Sequence, residues 1–234
     1  MRYINKLVFF VALAASHWLS ATVTTLADLS ETNRLALLDS ARTINTAAEG
    51  VVLQLTPTAE NPSGRAFGHL TVNSSGLSTF FKFRRTQFGN GEVKGLAFVI
   101  KSPDSPDQSG KSLKLEIDTQ NHANAVTINI NGKTNASAPI PAFENNNTWY
   151  VWVDYEGGKL EVRIHATGER PSDYLLRRSV NLSDILGGSL QASLGFITGT
   201  GITDENNEVS PIESDTGTVF DHYDILRWSY RDEW

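Results

Sequence analysis

The sequence predicts an all-β protein built as a sandwich of two antiparallel sheets. From Val51 onward, short runs rich in Val, Ile, Phe, Thr, Trp and Tyr alternate with turn residues such as Gly, Asn, Pro and Asp. No helical periodicity separates these runs, so each strand is expected to pair with other strands. Many short strands without helices bury their apolar faces by packing one sheet on another.

Length and composition are consistent with a single domain. The chain has 234 residues and shows no internal repeat or linker, so one sizeable core is expected. Its net charge is −6 at pH 7 and it has no basic stripe, which argues against binding to nucleic acid or to an anionic membrane surface. It contains no cysteine, so the core alone must stabilise it.

Residues 1–27 are predicted to be a secretory signal peptide, and residues 28–234 the mature domain. Arg2 and Lys6 precede an apolar run over 7–15 that is too short to span a bilayer. Thr25-Leu26-Ala27 offers small residues for cleavage, and Ser20-Ala21 is the alternative. A membrane anchor is the other interpretation of this segment. We expect a secreted, extracellular protein without membrane insertion.

The clearest element is a hairpin over 149–164, whose strands alternate apolar and polar residues about Gly157-Gly158. Further strands are predicted at 50–56, 65–72, 77–85, 94–101, 112–118, 125–131, 174–180, 190–198 and 221–230. The inward members of the runs are the predicted core: Leu53, Leu55, Phe81, Phe83, Leu96, Phe98, Ile100, Leu115, Ile117, Ile128, Ile130, Trp152, Val162, Ile164, Leu194, Phe196, Ile225 and Trp228.

Several sequence blocks resemble those of one protein family, in the same order. In the family they run G-R-A-L-Y, A-S-F-x-T-x-F, D-G-L-A-F-F-L, V-E-F-D-T, W-x-V-x-I-D-Y, V-x-L-S, G-F-x-A-x-T-G and H-D-I-L-x-W-S-F. The matching segments in this chain are 63–67, 77–83, 95–100, 115–119, 149–155, 180–183, 195–201 and 223–230. Over nearly its whole mature length the chain therefore resembles the L-type (legume-type) lectins.

Residues 28–43 allow two interpretations. Leu35, Leu38 and Ala41 recur near helical spacing behind a capping residue, which favours a short helix or loop passing into a strand near residue 40. The family resemblance instead makes Leu35 to Thr43 a strand followed by a turn.

The resemblance implies a concanavalin A-like jelly roll that binds a glycan or glycoconjugate without catalysis. The expected site is a shallow one at one edge of a sheet, with walls from residues 90–95, 120–124, 145–148 and 200–221. Shallow polar sites bind single sugars weakly, which favours a homo-oligomer that gains avidity.

Glu116 and Asp118 are the predicted metal ligands, with Asn121 as a third. They stand two apart in a strand, so both carboxylates leave the same face. In the family the matching pair holds a transition metal and a calcium ion. In this chain no second Asp or metal-binding His follows, so calcium is the expected ion and a full two-metal site is not expected. The alternative is a solvated acidic face, with Leu115 and Ile117 turned inward.

Carbohydrate contacts are predicted at Lys94, Gly95, Asn121, Asn124, Thr200 and Gly201. Asn121 and Asn124 offer amides to sugar hydroxyls, and the segment from Gly201 onward offers backbone groups. Lys94 departs from the family, which has an Asp before the G-L-A-F block. A lysine only donates hydrogen bonds, so it cannot accept from two hydroxyls, although it suits an acidic sugar.

Two other functions compete with sugar binding. A structural or adhesive module with a lost sugar site is consistent with Lys94. A jelly-roll glycoside hydrolase would need E-x-D-x-E on one strand, but Gln120 stands where the acid should be and an amide cannot protonate a leaving group. Catalysis is therefore not expected. Among the aromatic residues, Trp152 and Trp228 are predicted in the core, and packing is favoured over sugar stacking for Trp149, Tyr150 and Tyr174.

Overall fold

The computed structural model describes residues 24–26, 29, 32–56, 63–86, 95–105, 111–118, 124–142, 146–198 and 222–231. Four of the predicted site residues, Lys94, Asn121, Thr200 and Gly201, lie outside these ranges. Residues 1–23 of the predicted signal peptide also lie outside them, and so does Gln120.

The described residues form sixteen strands, which in chain order are β1 (Thr24–Leu26), β2 (Leu35–Asp39), β3 (Arg42–Thr46), β4 (Gly50–Gln54), β5 (Gly64–Gly68), β6 (Val72–Asn73), β7 (Gly76–Thr86), β8 (Leu96–Lys101), β9 (Ser112–Asp118), β10 (Ala125–Ile130), β11 (Lys133–Pro139), β12 (Thr148–Glu156), β13 (Lys159–His165), β14 (Leu176–Ser179), β15 (Gln191–Thr198) and β16 (His222–Arg231). A 3-10 turn covers Thr32–Arg34. The short helix α1 covers Leu182–Ile185, and the Asn181 side chain caps it by accepting a hydrogen bond from the Asp184 amide.

The strands form two eight-stranded antiparallel sheets. Sheet A has the order β14-β13-β12-β7-β16-β4-β3, with β1 pairing with β16. Sheet B has the order β11-β10-β9-β8-β15-β5-β2, with β6 pairing with β15. The predicted all-β sandwich of two antiparallel sheets is confirmed.

The long strand β7 shows why these residues adopt this fold. Leu77, Thr79, Phe81 and Phe83 are buried, and the residues between them are half-buried or more exposed. Successive side chains of a strand point to opposite faces, so Leu77, Phe81 and Phe83 lie against sheet B, whereas Phe80 lies on the outer face. Burying each of these large side chains contributes about 1.5–3 kcal/mol.

Four aromatic rings join the two sheets at the centre of the core. Phe81 of sheet A lies 5.5 Å from Phe98 and 5.1 Å from Phe196 of sheet B, measured between ring centroids. Trp228 of β16 stands edge-on to Phe196. All four rings are fully buried, as the sequence predicted.

For the first strand of the 149–164 hairpin, the prediction assigned the wrong set of alternating residues to the core. Trp149 is 4% exposed and faces the core with Val151 and Val153, whereas Trp152 is half-buried on the outer face of sheet A. Five consecutive apolar residues occur over 149–153, so alternation alone does not identify the inward set. Packing was the right interpretation for Trp149, but the core assignment of Trp152 is corrected.

Three further predictions need correction. Ile130 and Ile164 are half-buried and pack against the edge of the core. The helix favoured within 28–43 is replaced by the 3-10 turn, β2 and a turn before β3, because Leu35–Asp39 pairs with β5. This agrees with the family alternative. Strand β11 was not predicted, because its sequence Lys-Thr-Asn-Ala-Ser-Ala-Pro is polar and small; it lies at the edge of sheet B.

Within the described ranges, no helix has both the length and the apolar character needed to cross a bilayer.

Candidate functional site

Three of the predicted loop walls are attached at one end of sheet B. Leu96, the first residue of β8, pairs with Ile117 on one side and with Thr198, the last residue of β15, on the other. Asp118, the last residue of β9, pairs with Ala125 at the start of β10. The sheet B residues that flank segments 87–94, 119–123 and 199–221 therefore stand side by side, at what we call the rim end.

Sheet A brings the fourth predicted wall to the same end. Thr86, the last residue of β7, pairs with His222, where β16 begins after segment 199–221. The Asn146 amide donates a hydrogen bond of 3.0 Å to the Arg85 carbonyl, which places the 145–148 turn beside the end of β7. All four predicted walls are thus attached at the rim end.

Gly95 fits the rim end because it has no side chain. Its φ is +121°, and a Cβ there would stand 2.4 Å from the Ile117 carbonyl oxygen, which no real side chain allows. The backbone of Gly95 therefore enters β8 in direct contact with the end of β9. This contact fixes the last residue of the predicted 90–95 turn next to Asp118.

Asn124 lies on the other side of the end of β9 from Gly95, because β8 and β10 pair with opposite edges of β9. It is half-buried at the start of β10, and its carbonyl accepts a hydrogen bond of 2.9 Å from the Ile140 amide. Gly95, Asp118 and Asn124 are therefore brought together, while Lys94, Asn121, Thr200 and Gly201 belong to segments that are attached around them but lie outside the described residues.

The carboxylates of Glu116 and Asp118 lie on the outer face of sheet B. Leu115 and Ile117 are fully buried in the core, so the two acidic residues point away from it, and both are half-buried. The predicted common face for the pair is correct. The structure agrees with the alternative interpretation in that Leu115 and Ile117 turn inward. It differs in that Glu116 and Asp118 are half-buried and not fully solvated.

A third charged residue shares that face and was missed in the sequence. Lys114 precedes Glu116 by two residues and is only 6% exposed. Burial raises the pKa of the Glu116 carboxyl, which Lys114 opposes and Asp118 reinforces. Burial lowers the pKa of the Lys114 ammonium, and Glu116 opposes that shift. The alternation Lys114-x-Glu116-x-Asp118 was the sequence signal that could have placed Lys114 on the same face as the two acidic residues.

The described residues by themselves do not complete the metal pair that the family resemblance implies. Within the described ranges, no three His, Asp or Glu side chains stand together as a potential ion site. Calcium prefers six to eight oxygen ligands, and the described strand supplies two carboxylates with a buried ammonium beside them. The third predicted ligand, Asn121, lies outside the described residues.

A charged cavity of about 410 Å³ lies far from the rim end, on the outer face of sheet A beside the β12–β13 turn. Asp154 accepts hydrogen bonds from Ser78 at 2.7 Å and Arg170 at 2.6 Å, and pairs with Arg163 at 3.3 Å. Glu161 accepts one from Arg163 at 2.8 Å. These contacts account for both carboxylates, so the cluster is a structural ion-pair network.

Two further groups of aromatic and apolar residues lie at the surface of the described part of the chain. Phe80, Tyr150 and Trp152 form a half-buried group on the outer face of sheet A, with 5.3 Å between the centroids of Phe80 and Trp152. A mainly apolar cavity of about 360 Å³ is lined by residues that include Ile140, Trp149 and Ile164. Tyr174 is exposed and lies beside Arg177. Neither Tyr150 nor Tyr174 belongs to the four segments attached at the rim end.

The fold and the loop attachments define a β-sandwich of the concanavalin A-like jelly-roll class. A family model for the legume lectin domain matches residues 27–232. The chain therefore belongs to the legume lectin domain family. No curated protein sequence matches this chain.

Solved legume lectin structures share the fold at low sequence identity. The winged bean acidic lectin complexed with methyl-α-D-galactose has a TM-score of 0.67 and 18% identity, covering 91% of this chain and 98% of its own. Lectin II from Ulex europaeus has a TM-score of 0.69 and 19% identity, with coverages of 91% and 99%. A lectin from Bauhinia forficata in complex with GalNAc has a TM-score of 0.64 and 18% identity, with coverages of 91% and 98%.

Proposed function

We propose that this chain is a secreted carbohydrate-binding protein that recognises glycans through the loops at the rim end, without chemical turnover. The observation that carries the proposal is the convergence of the four predicted loop walls at that end, in a chain of the legume lectin domain family. The solved lectins complexed with methyl-α-D-galactose and with GalNAc support the ligand class.

Gly95 and Asn124 are the described residues of the proposed site. Gly95 brings the backbone of the first loop against the end of β9, and Asn124 offers an amide at the start of β10. Lys94, Asn121, Thr200 and Gly201 complete the proposed contact set. Shallow polar sites of this kind bind single sugars weakly, so we propose that a homo-oligomer supplies avidity.

Calcium stays a sequence-based prediction, because Asn121 lies outside the described residues. We propose that sugar binding does not need it, since the buried Lys114 supplies a positive charge two residues from Glu116 on the same face of β9. Measuring glycan binding in EDTA distinguishes calcium-dependent from calcium-independent recognition. Loss of binding in EDTA that calcium restores would support the calcium prediction.

A broad glycan array probed with the purified protein tests the proposal. We expect binding that free sugar competes away and that Asn124→Ala weakens by about tenfold or more, the loss expected for a charged or well-placed hydrogen bond. Asn45→Ala is the control, since Asn45 is an exposed asparagine on β3 of sheet A. No binding across the array would favour the structural or adhesive module.

Secretion is part of the proposal, and its processing point can be measured. Strand β1, Thr24–Leu26, pairs with Trp228–Tyr230 of β16 but lies inside the predicted signal peptide. Cleavage after Ala27 would remove this strand, whereas cleavage after Ala21 would keep it. The mass of the secreted protein distinguishes the two, and an uncleaved membrane-bound chain would contradict the proposal.

A further inference from the structure

Lys114 occupies an unusual position for a lysine. It is 6% exposed in the middle of sheet B, with Val99 of β8 opposite it on one side and Asn129 of β10 on the other. An ammonium removed from water is costly unless negative or polar groups surround it. Its side chain points to the outer face, because Leu113 and Leu115 on either side are fully buried in the core.

Three residues on the same face as Lys114 carry acceptor groups, namely Glu116, Asp118 and Asn129. Glu116 stands two residues further along β9 on the same face. Its charge opposes the fall that burial causes in the pKa of Lys114. Asp118 follows Glu116 on that face and acts on the same carboxyl. Directly opposite Lys114, the Asn129 side-chain oxygen is buried without a hydrogen-bond partner. An ammonium donates up to three hydrogen bonds and suits such surroundings.

A second lysine on this face serves elsewhere. The Lys101 ammonium donates a hydrogen bond of 2.9 Å to the Ser105 carbonyl and lies 4.7 Å from the centroid of the Phe67 ring. These two contacts lie at the β8–β9 connection and on β5.

We infer that the Lys114 ammonium is a built-in counter-cation for the Glu116 carboxylate, in the place where the family resemblance implies a metal ion. Glu116 is half-buried, and Lys114 supplies a positive charge two residues away on the same face of the strand. A divalent ion at the same carboxylates would meet the repulsion of this ammonium. The sandwich therefore keeps its acidic β9 strand folded without calcium or a transition metal.

Thermal unfolding of the whole secreted protein tests this inference without any sugar. The wild-type Tm is expected to differ by less than about 1 °C between EDTA, excess CaCl2 and excess MnCl2, because an ion that does not bind the native state cannot stabilise it. A rise of more than about 3 °C with either ion would overturn the inference, since it requires a native-state ion site.

Substitutions test the charge pairing itself. Lys114→Met keeps the length of the side chain but removes its charge, and is expected to lower the Tm by roughly 5 °C or more, as for breaking a buried pair in a domain of this size. The double variant Lys114→Met/Glu116→Gln should recover at least half of that loss. Lys133→Met, at an exposed lysine of β11, is the control and should leave the Tm unchanged.

Two results would contradict the role of Lys114. The first is a Lys114→Met variant as stable as the wild type. The second is a double variant no more stable than Lys114→Met, because a purely packing role for the lysine stem does not depend on the Glu116 charge. If Lys114→Met does not fold, the double variant and the wild-type cation series still decide the question.

Discussion

The indole nitrogen of Trp228 donates a hydrogen bond of 3.1 Å to the hydroxyl oxygen of Thr79, and both residues are buried in the core. Thr79 in turn donates to the Ser229 carbonyl at 3.0 Å. The indole N–H would otherwise be unsatisfied in an apolar interior. This pair therefore holds the Trp228 ring in one orientation against Phe196 of the other sheet, with 4.9 Å between ring centroids.

Thr79→Val should destabilise the fold by about 1–3 kcal/mol, because it keeps the shape but leaves the Trp228 N–H unpaired. Thr79→Ser keeps the hydroxyl and loses only a methyl group, so it should cost about 1 kcal/mol. Urea unfolding followed by Trp fluorescence measures both. Equal losses for the two variants would show that the hydrogen bond contributes nothing.

Trp149→Ala and Trp152→Ala should differ in their cost, because only Trp149 faces the core. We expect a loss of about 3–5 kcal/mol for Trp149→Ala, as for other buried aromatic residues, and a smaller loss for the outer-face Trp152. Chemical denaturation of the two variants side by side makes the comparison. A larger loss of stability for Trp152→Ala would instead support the sequence-based prediction that Trp152 faces the core.

Gly95→Ala should be destabilising by about 2–5 kcal/mol, because a Cβ would overlap the Ile117 carbonyl and the residue holds a positive φ. Gly76→Ala is the control, since its Cβ would meet no atom closer than 3.7 Å. Calorimetry of the two variants tests the contact. If both shift the Tm alike, Gly95 does not approach the end of β9 this closely.

Stability should decrease in acid partly through Glu161. The hydrogen bond from Arg163 holds the pKa of its carboxyl below the ordinary value of 4.5. A lowered folded-state pKa contributes stability above the unfolded-state pKa, and that contribution is lost as the pH falls through the folded-state value. Glu161→Gln should therefore lose less stability than wild type between pH 7 and pH 3.

Glu156→Gln, at an exposed glutamate on the same strand pair, is the matched control for that series. It should follow the wild-type pH curve. A Glu161→Gln curve parallel to wild type over the same range would mean that this ion pair does not contribute to acid sensitivity.

Most of the fold was predictable because its signals are local. Alternation in β7 and β9 identified the inward residues there, including Phe81, Phe83, Leu115 and Ile117. The prediction failed where both faces carry apolar residues, as at Trp149 and Trp152. It also failed at β11, where Lys133–Pro139 lacks β-branched and aromatic side chains except for one threonine; pairing with β10 gives this segment its strand structure.

The candidate site was less predictable, because its geometry depends on partners distant in sequence. Glu116 and Asp118 were identified as a pair, but the burial of Lys114 is set by the neighbouring strands β8 and β10 and by its place inside sheet B. The contact between Gly95 and the Ile117 carbonyl likewise follows from strand register. Arg170, which reaches Asp154, comes from a loop with no periodic signal.

The most direct test of sugar recognition at the rim end is an NMR titration of the labelled protein, in EDTA, with the tightest glycan from the array. Amide shifts should concentrate at the rim end, at Gly95, Asn124, Thr198 and His222, and should spare Gly132 and Gly158 at the opposite end. Shifts centred on the opposite end or on the outer face of sheet A, or no shifts with any glycan, would contradict recognition at the rim end.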